Sequence, residues 1–205
     1  MHDAAIDAVR GPSQVVSGPD IPSSPHATAP AWTVRPEPFD SAVAAALWRP
    51  YYTEVSDRWY QLHEGRLTDP EELEREIAAE TGADLAPPRG VLLVARYGGE
   101  PVGTAGVRLL DTGTDIGTGT RTGTRTRTAE LKRVFVRADM RGKGGAPRLL
   151  AAAEDAARAL GAGRIVLDTR TDLVEARALY TRHGYAEIEP YAERQYAEHW
   201  YGKQL

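Results

Sequence analysis

Arg141-Gly142-Lys143-Gly144-Gly145-Ala146 lies between an apolar run that ends in Val134-Phe135-Val136 and a run that begins Pro147-Arg148-Leu149-Leu150. The pattern predicts a strand, a tight loop and a helix. Three of the six loop residues are glycine, so the loop cannot shield its own amides, and several N–H groups are free to point into one small space. The following helix adds its unpaired first-turn donors and the positive end of its macrodipole. Such a space suits an oxyanion, a pyrophosphate in particular. Arg141, Lys143 and Arg148 add positive charge nearby.

Two other phosphate loops fit less well. A nucleotide P-loop needs Gly-Lys followed by Ser or Thr, and here Gly144 follows Lys143 with no hydroxyl to hold magnesium. A dinucleotide fingerprint needs a glycine three residues beyond Gly144, where Pro147 stands. The pattern that does fit is Arg/Gln-x-x-Gly-x-Gly/Ala, present as Arg141, Gly144 and Ala146.

With Ala129-Glu130-Leu131-Lys132-Arg133-Val134-Phe135-Val136 before this loop, and Ala176, Leu179-Tyr180 and His183-Gly184-Tyr185 after it, residues 129–185 resemble the acyl-CoA-binding core of the GNAT N-acetyltransferase superfamily. The resemblance implies an α/β fold with a mixed central sheet of about six to seven strands, flanked by helices and splayed between strands 4 and 5. It implies acetyl-CoA as co-substrate and an amine as acceptor. Val134, Phe135 and Val136 would meet the pantetheine arm through their backbone. Arg141, Gly142, Lys143, Gly144, Gly145 and Ala146 would hold the pyrophosphate. Pro147 removes one N–H, at the first turn of a helix where that loss matters least.

A lysine-like amine, with a pKa of about 10.4, must lose a proton before it attacks, and the departing thiolate needs one. Tyr180 matches the tyrosine that many superfamily members set beside the CoA sulfur, and a phenol of pKa about 10 keeps its proton at neutral pH. Glu130 matches the glutamate that some members use as general base, directly or through water. The superfamily often has an asparagine three residues before the helix alanine. Leu173 stands there instead, so that contact to the cofactor arm is missing or supplied by Asp172 or Thr169. The first helical region commonly forms a wall of the acceptor pocket, which makes Trp48, Tyr52 and Trp59 candidate substrate contacts; the same aromatics also suit the core face of an amphipathic helix.

The chain has 205 residues and a formal net charge of -4. That length predicts one domain, and the charge gives no electrostatic reason to expect nucleic acid or an anionic membrane as partner. There is no cysteine, which excludes disulfides and thiolate catalysis, and the five histidines are scattered without metal-ligand spacing. No metal is expected. The N-terminal residues lack the basic start and apolar stretch of a secretion signal, and no run is apolar enough to span a bilayer, so a cytoplasmic protein is expected.

Residues 1–31, rich in Pro, Ser, Ala and Gly, read as a disordered leader before a domain spanning 32–205. Trp32–Arg35 reads as a strand stopped by Pro36. Phe39–Trp48 reads as a helix capped by Asp40 or Ser41 and ended or kinked at Pro50, with Tyr51, Tyr52, Trp59, Tyr60 and Leu62 beyond on roughly helical spacing. Asp69-Pro70-Glu71-Glu72 opens a second helix through Ala79. Residues 91–97 and 101–109 read as a hairpin about Gly98-Gly99-Glu100. Residues 111–128 form a Thr/Gly/Arg tract read as a low-complexity loop insertion. Beyond the organising loop come a helix over 147–160, a buried strand over 164–169 parallel to the fourth, a helix from about Leu173 to His183, and a closing strand pair over 185–188 and 199–203.

Two functions are open at this level. One is an N-acetyltransferase moving an acetyl group from acetyl-CoA to a primary amine of a small molecule or protein, by direct attack in a ternary complex. The other is an acyl-CoA-binding module that does not turn over. Monomer and homodimer are both open.

Overall fold

The computed structural model describes residues 30–111 and 127–205. The expectations for the leader and the Thr/Gly/Arg tract fall on residues 1–29 and 112–126, outside the described residues.

Gly98 and Gly99 adopt φ of 59° and 90°, the positive values that a two-residue hairpin turn requires. They join β2 (Gly90–Tyr97) to β3 (Glu100–Leu109). β1 (Trp32–Glu37) pairs antiparallel with β2 at the sheet edge. The strand runs through Pro36 instead of stopping there, because an edge strand has one side with no ladder bond to lose. β4 (Arg127–Val136) includes Arg127 and Thr128, where the sequence predicts the end of the loop insertion. With β5 (Ala162–Thr169), β6 (Ala186–Glu187) and β7 (His199–Gln204) the sheet has seven strands in the order β1-β2-β3-β4-β5-β7-β6. β4 and β5 are parallel, and every other pair is antiparallel.

α1 (Ala42–Glu64) is one helix of 23 residues with Pro50 inside it, where the sequence predicts an end or a kink. Ser41 caps it, accepting from the Ala44 N–H at 3.1 Å. Pro50 removes a backbone bond at a cost of about 3 kcal/mol. Leu47 and Trp48 on one side and Tyr60 on the other are buried, and packing of both halves outweighs that loss. α2 (Pro70–Ala79) is capped by Asp69, which accepts from Glu71 and Glu72 N–H. α3 (Gly145–Ala159) buries Leu149, Leu150, Ala153 and Ala157 against one face of the sheet, at helical spacing. Trp48, Ala44, Leu85 and Leu92 form a second cluster on the other face. α4 is Val174–Arg182.

The site is opened by β4. Thr104 pairs with Phe135 and Gly106 with Lys132, so two steps on β3 oppose three on β4. The extra residue is accommodated at Arg133, the one non-glycine residue with positive φ among the described residues (53°). Such a bulge bends and twists its strand. β4 pairs with β5 only from Arg127↔Ala162 to Glu130↔Val166. β5 then continues along β7 as far as Thr169↔His199, and among the described residues Leu131–Val136 has no partner on the β5 side. This gap is the expected splay between strands 4 and 5.

Gly103 keeps β3 close to β4 beside the gap. A Cβ there would lie 2.5 Å from the Phe135 carbonyl oxygen, and relief requires β4 to move. Gly103→Ala is expected to lose about 1–3 kcal/mol of stability, read from the urea midpoint. An unchanged midpoint would show that the two strands part at little cost.

Candidate active site

The gap between β4 and β5 continues into a cavity of about 810 Å³. The free edge of β4 and the 141–146 loop form one end. Asp168 and Thr169 of β5, Tyr180 of α4, Tyr51 and Tyr52 of α1, and residues 194–197 between β6 and β7 enclose the rest.

In the loop, Gly142 and Gly144 take φ of 75° and 81°. Among the described residues the N–H groups of Gly142, Lys143 and Gly144 find no protein acceptor. Gly145 and Ala146 open α3, where no intrahelical acceptor exists for their N–H groups. Four of these five residues line the cavity: Gly142, Gly144, Gly145 and Ala146. A string of unused amides at a helix start is a ready anion site. Arg141 also lines the cavity; its Nε donates to the Val136 carbonyl at 2.9 Å and its Nη2 pairs with Glu54 at 2.5 Å. Val134, Phe135 and Val136 line the cavity as well. Lys143 does not, and its ammonium lies 3.6 Å from Met140 Sδ. Arg148 turns its guanidinium onto the Gly144 carbonyl.

Tyr180 is 6% exposed and lines the cavity. Burial pushes its phenol above the ordinary value, and Tyr51 and Asp168 push it further. The Tyr51 phenol is likewise raised, first by burial, with Arg133 opposing and Asp168 adding to the rise. Among the carboxylates lining the cavity, Asp168 is shifted upward, whereas the Arg58 hydrogen bond lowers Glu175. Burial raises Asp168 first and the neighbouring Glu130 charge second, while Arg194 (Nε at 4.0 Å) and Tyr191 (Oη at 3.4 Å) oppose.

Glu130 stands elsewhere than its expected role requires. It is fully buried at 0% exposure and does not line the cavity. Arg108 meets one of its oxygens through Nε and Nη2, each at 2.6 Å. The other accepts from Tyr191 and Arg194, each at 2.9 Å. A carboxylate so occupied has no lone pair left for an acceptor's proton. Its work is to tie the 188–198 connection to β3 and β4.

Of the three expected pocket aromatics, Tyr52 lines the cavity. Trp48 belongs to the second core cluster and stacks beneath the Arg133 guanidinium at 4.3 Å. Trp59 packs on Tyr60, His63 and Tyr196, one layer behind the wall that Tyr196 forms. Leu173 and Thr169 line the cavity, whereas the Asp172 carboxylate is held by Arg170 at 2.8 and 2.9 Å and by Arg58 at 3.4 Å. Sequence reasoning places Tyr51 on the first helical region without singling it out, and passes over Asp168, Arg194 and Tyr196. Two signals point to them: Tyr51, Glu54 and Val55 share a helix face by i, i+3, i+4 spacing, and Asp168 ends a parallel strand, where α/β folds place ligands.

Residues 43–185 match the family model described as the acetyltransferase (GNAT) family. The match spans well over half of the chain. This protein belongs to the GNAT acetyltransferase family. Among solved structures, a GNAT acetyltransferase from Staphylococcus aureus is 16% identical, covering 85% of this chain and 99% of that one with a TM-score of 0.57. An acetyltransferase from Streptococcus agalactiae is 17% identical, covering 85% and 98% with a TM-score of 0.56. PaiA N-acetyltransferase from Thermoplasma acidophilum, solved with coenzyme A, is 14% identical, covering 85% and 99% with a TM-score of 0.55. At such identities the likeness establishes the GNAT fold. No curated protein matches the chain. Among the described residues no group of three or more His, Asp or Glu is placed to hold a metal ion, and no helix is long and apolar enough to cross a membrane.

Because Asp168 is raised, the folded GNAT domain holds its proton more tightly than the unfolded chain does. Its contribution to stability therefore falls as pH rises above the ordinary carboxylate value of about 3.9. Asp168→Asn is neutral throughout and escapes that loss. The variant's Tm relative to wild type is expected to increase between about pH 4 and pH 7; a constant difference would show that ionised Asp168 costs the fold nothing.

Proposed function

We propose that this GNAT protein is an N-acetyltransferase that moves an acetyl group from acetyl-CoA to a primary amine, by direct attack in a ternary complex. The observation that carries the reading is one cavity with unused loop amides at one end and an underpaired carboxylate beside a buried phenol at the other. The amides of Gly142, Gly144, Gly145 and Ala146 and the Arg141 guanidinium fit a diphosphate in number and charge. The free edge of Leu131–Val136 supplies backbone groups for an amide-bearing arm. Bound acetyl-CoA would supply an activated acyl carbon and leave as a thiol.

The chain's own groups then meet two proton requirements. Asp168 in its ionised form holds an incoming ammonium by charge and takes its proton at a carboxylate oxygen. Tyr180, whose phenol stays protonated at every physiological pH, holds a proton at Oη for the departing sulfur. Tyr51, Tyr52 and Tyr196 give the acceptor end aromatic walls, which suit the body of a small amine and attract its cation.

Titration with acetyl-CoA by calorimetry, followed by thiol release over a panel of small primary amines, tests the reading. Binding with turnover on at least one amine is expected. Binding with no turnover on any acceptor would favour the non-catalytic acyl-CoA module, and absence of binding would sink both. Tyr180→Phe is expected to lower kcat about 10²-fold with little change in KM for acetyl-CoA. Wild-type activity should fall on the acid side as Asp168 gains a proton. Asp168→Asn should be poorly active and lack that limb; a retained limb would assign the base elsewhere.

A further inference from the structure

The loop's amides face one way only if something holds its carbonyls the other way. A trans peptide sets its C=O and N–H in opposite directions, and Pro87–Pro88 is the only cis bond among the described residues. The Lys143 carbonyl shares a peptide plane with the Gly144 N–H, and the Gly144 carbonyl shares one with the Gly145 N–H. Each carbonyl has a side-chain partner. Trp32 Nε1 on edge strand β1 donates to the Lys143 carbonyl at 2.9 Å. Arg148 Nη1, one turn into α3, donates to the Gly144 carbonyl at 2.8 Å. The Trp32 ring also lies flush on Gly145, where a Cβ would come within 2.4 Å of its Cη2. Tyr97, the register partner of Trp32, supports that ring at a centroid distance of 5.0 Å. Neither Trp32 nor Arg148 lines the cavity.

We infer that Trp32 and Arg148 are positioning residues for the anion site: they lock two consecutive peptide planes so that the Gly144 and Gly145 amides face the diphosphate before it arrives. Without them the flanking glycines, free to take either sign of φ, let a plane turn and put a carbonyl oxygen where an anion should sit. Arg148 thus acts through a backbone carbonyl, not as a charge on the ligand. The inference rests on the acetyl-CoA reading above.

Its test compares two ligands that differ by the diphosphate-bearing nucleotide, acetyl-CoA and S-acetylpantetheine, by calorimetry on wild type, Trp32→Phe, Arg148→Met and Arg148→Lys. Work at about 0.5 M salt screens the exposed Arg148 charge. Trp32→Phe and Arg148→Met are each expected to raise the Kd for acetyl-CoA about three- to tenfold. S-acetylpantetheine should change less than about twofold, and Arg148→Lys should recover most of the loss. Unchanged acetyl-CoA affinity in both variants, or equal losses for the two ligands, would overturn the inference. If Trp32→Phe fails to fold, Arg148→Met on the exposed first turn of α3 decides alone. Wild type that binds no acetyl-CoA overturns the acetyltransferase reading itself, and is told apart by the wild-type titration.

Discussion

The architecture of the site depends on one backbone irregularity, the extra residue in β4. At Arg133 the chain adopts φ of 53°, a conformation that costs a bulky residue about 1–3 kcal/mol. The surroundings hold it there. Thr104 Oγ1, fully buried, donates to the Arg133 carbonyl at 3.0 Å. The guanidinium is fixed over Trp48 and paired with Glu80 at 2.6 Å. Because β3 and β7 each keep their own partner strand, bending β4 opens a gap where β4 and β5 would otherwise close a ladder. The cavity, the free β4 edge and the exposure of Asp168 to that cavity all follow from this departure. Trp48 therefore bears on the site through the bulge, not as a pocket wall.

The two ends of the cavity are built by different means, which explains how far each can be read from sequence. At the loop end the specification is local: glycines at 142, 144 and 145, an arginine before them and a helix after. Those features act through backbone geometry within a few residues, so the strand-loop-helix and its anion-binding character are legible directly. The Gly98-Gly99 hairpin and the Ser41 and Asp69 caps are legible for the same reason. Pro50 and Pro36 mislead because tertiary packing and edge position, invisible locally, overrule their usual effect.

The acceptor end is assembled from distant chain segments. Glu130 meets Arg108, Tyr191 and Arg194 across sequence separations of 22, 61 and 64 residues. Residue type alone shows a carboxylate on the fourth strand; whether its lone pairs are free depends on those partners. Asp168 is the converse case. It reads as an ordinary strand residue until the splay turns it toward the cavity and Glu130 lies close enough to act on it. The resemblance to the family carries residue roles by position, and here a neighbouring carboxylate, Asp168, lines the cavity where Glu130 does not.

The charges beneath the acceptor end make that exchange intelligible. Arg108 bridges Glu130 at 2.6 Å and Asp84 at 2.9 Å, Lys132 adds to Asp84 at 3.1 Å, and Arg194 reaches Glu130 at 2.9 Å. Three cations thus face three acids once Asp168 is counted, with Arg194 only 4.0 Å from Asp168. The closest contacts go to Glu130 and Asp84, and the looser pairing remains at the carboxylate on the cavity wall. Breaking a buried, fully partnered carboxylate costs several kcal/mol, whereas an underpaired one gains from an arriving cation. In the proposed reaction the acceptor's ammonium is that cation. On that reading the saturation of Glu130 leaves Asp168 available, because Glu130 takes the better contact with Arg194, while burial first and the Glu130 charge second hold the Asp168 pKa up.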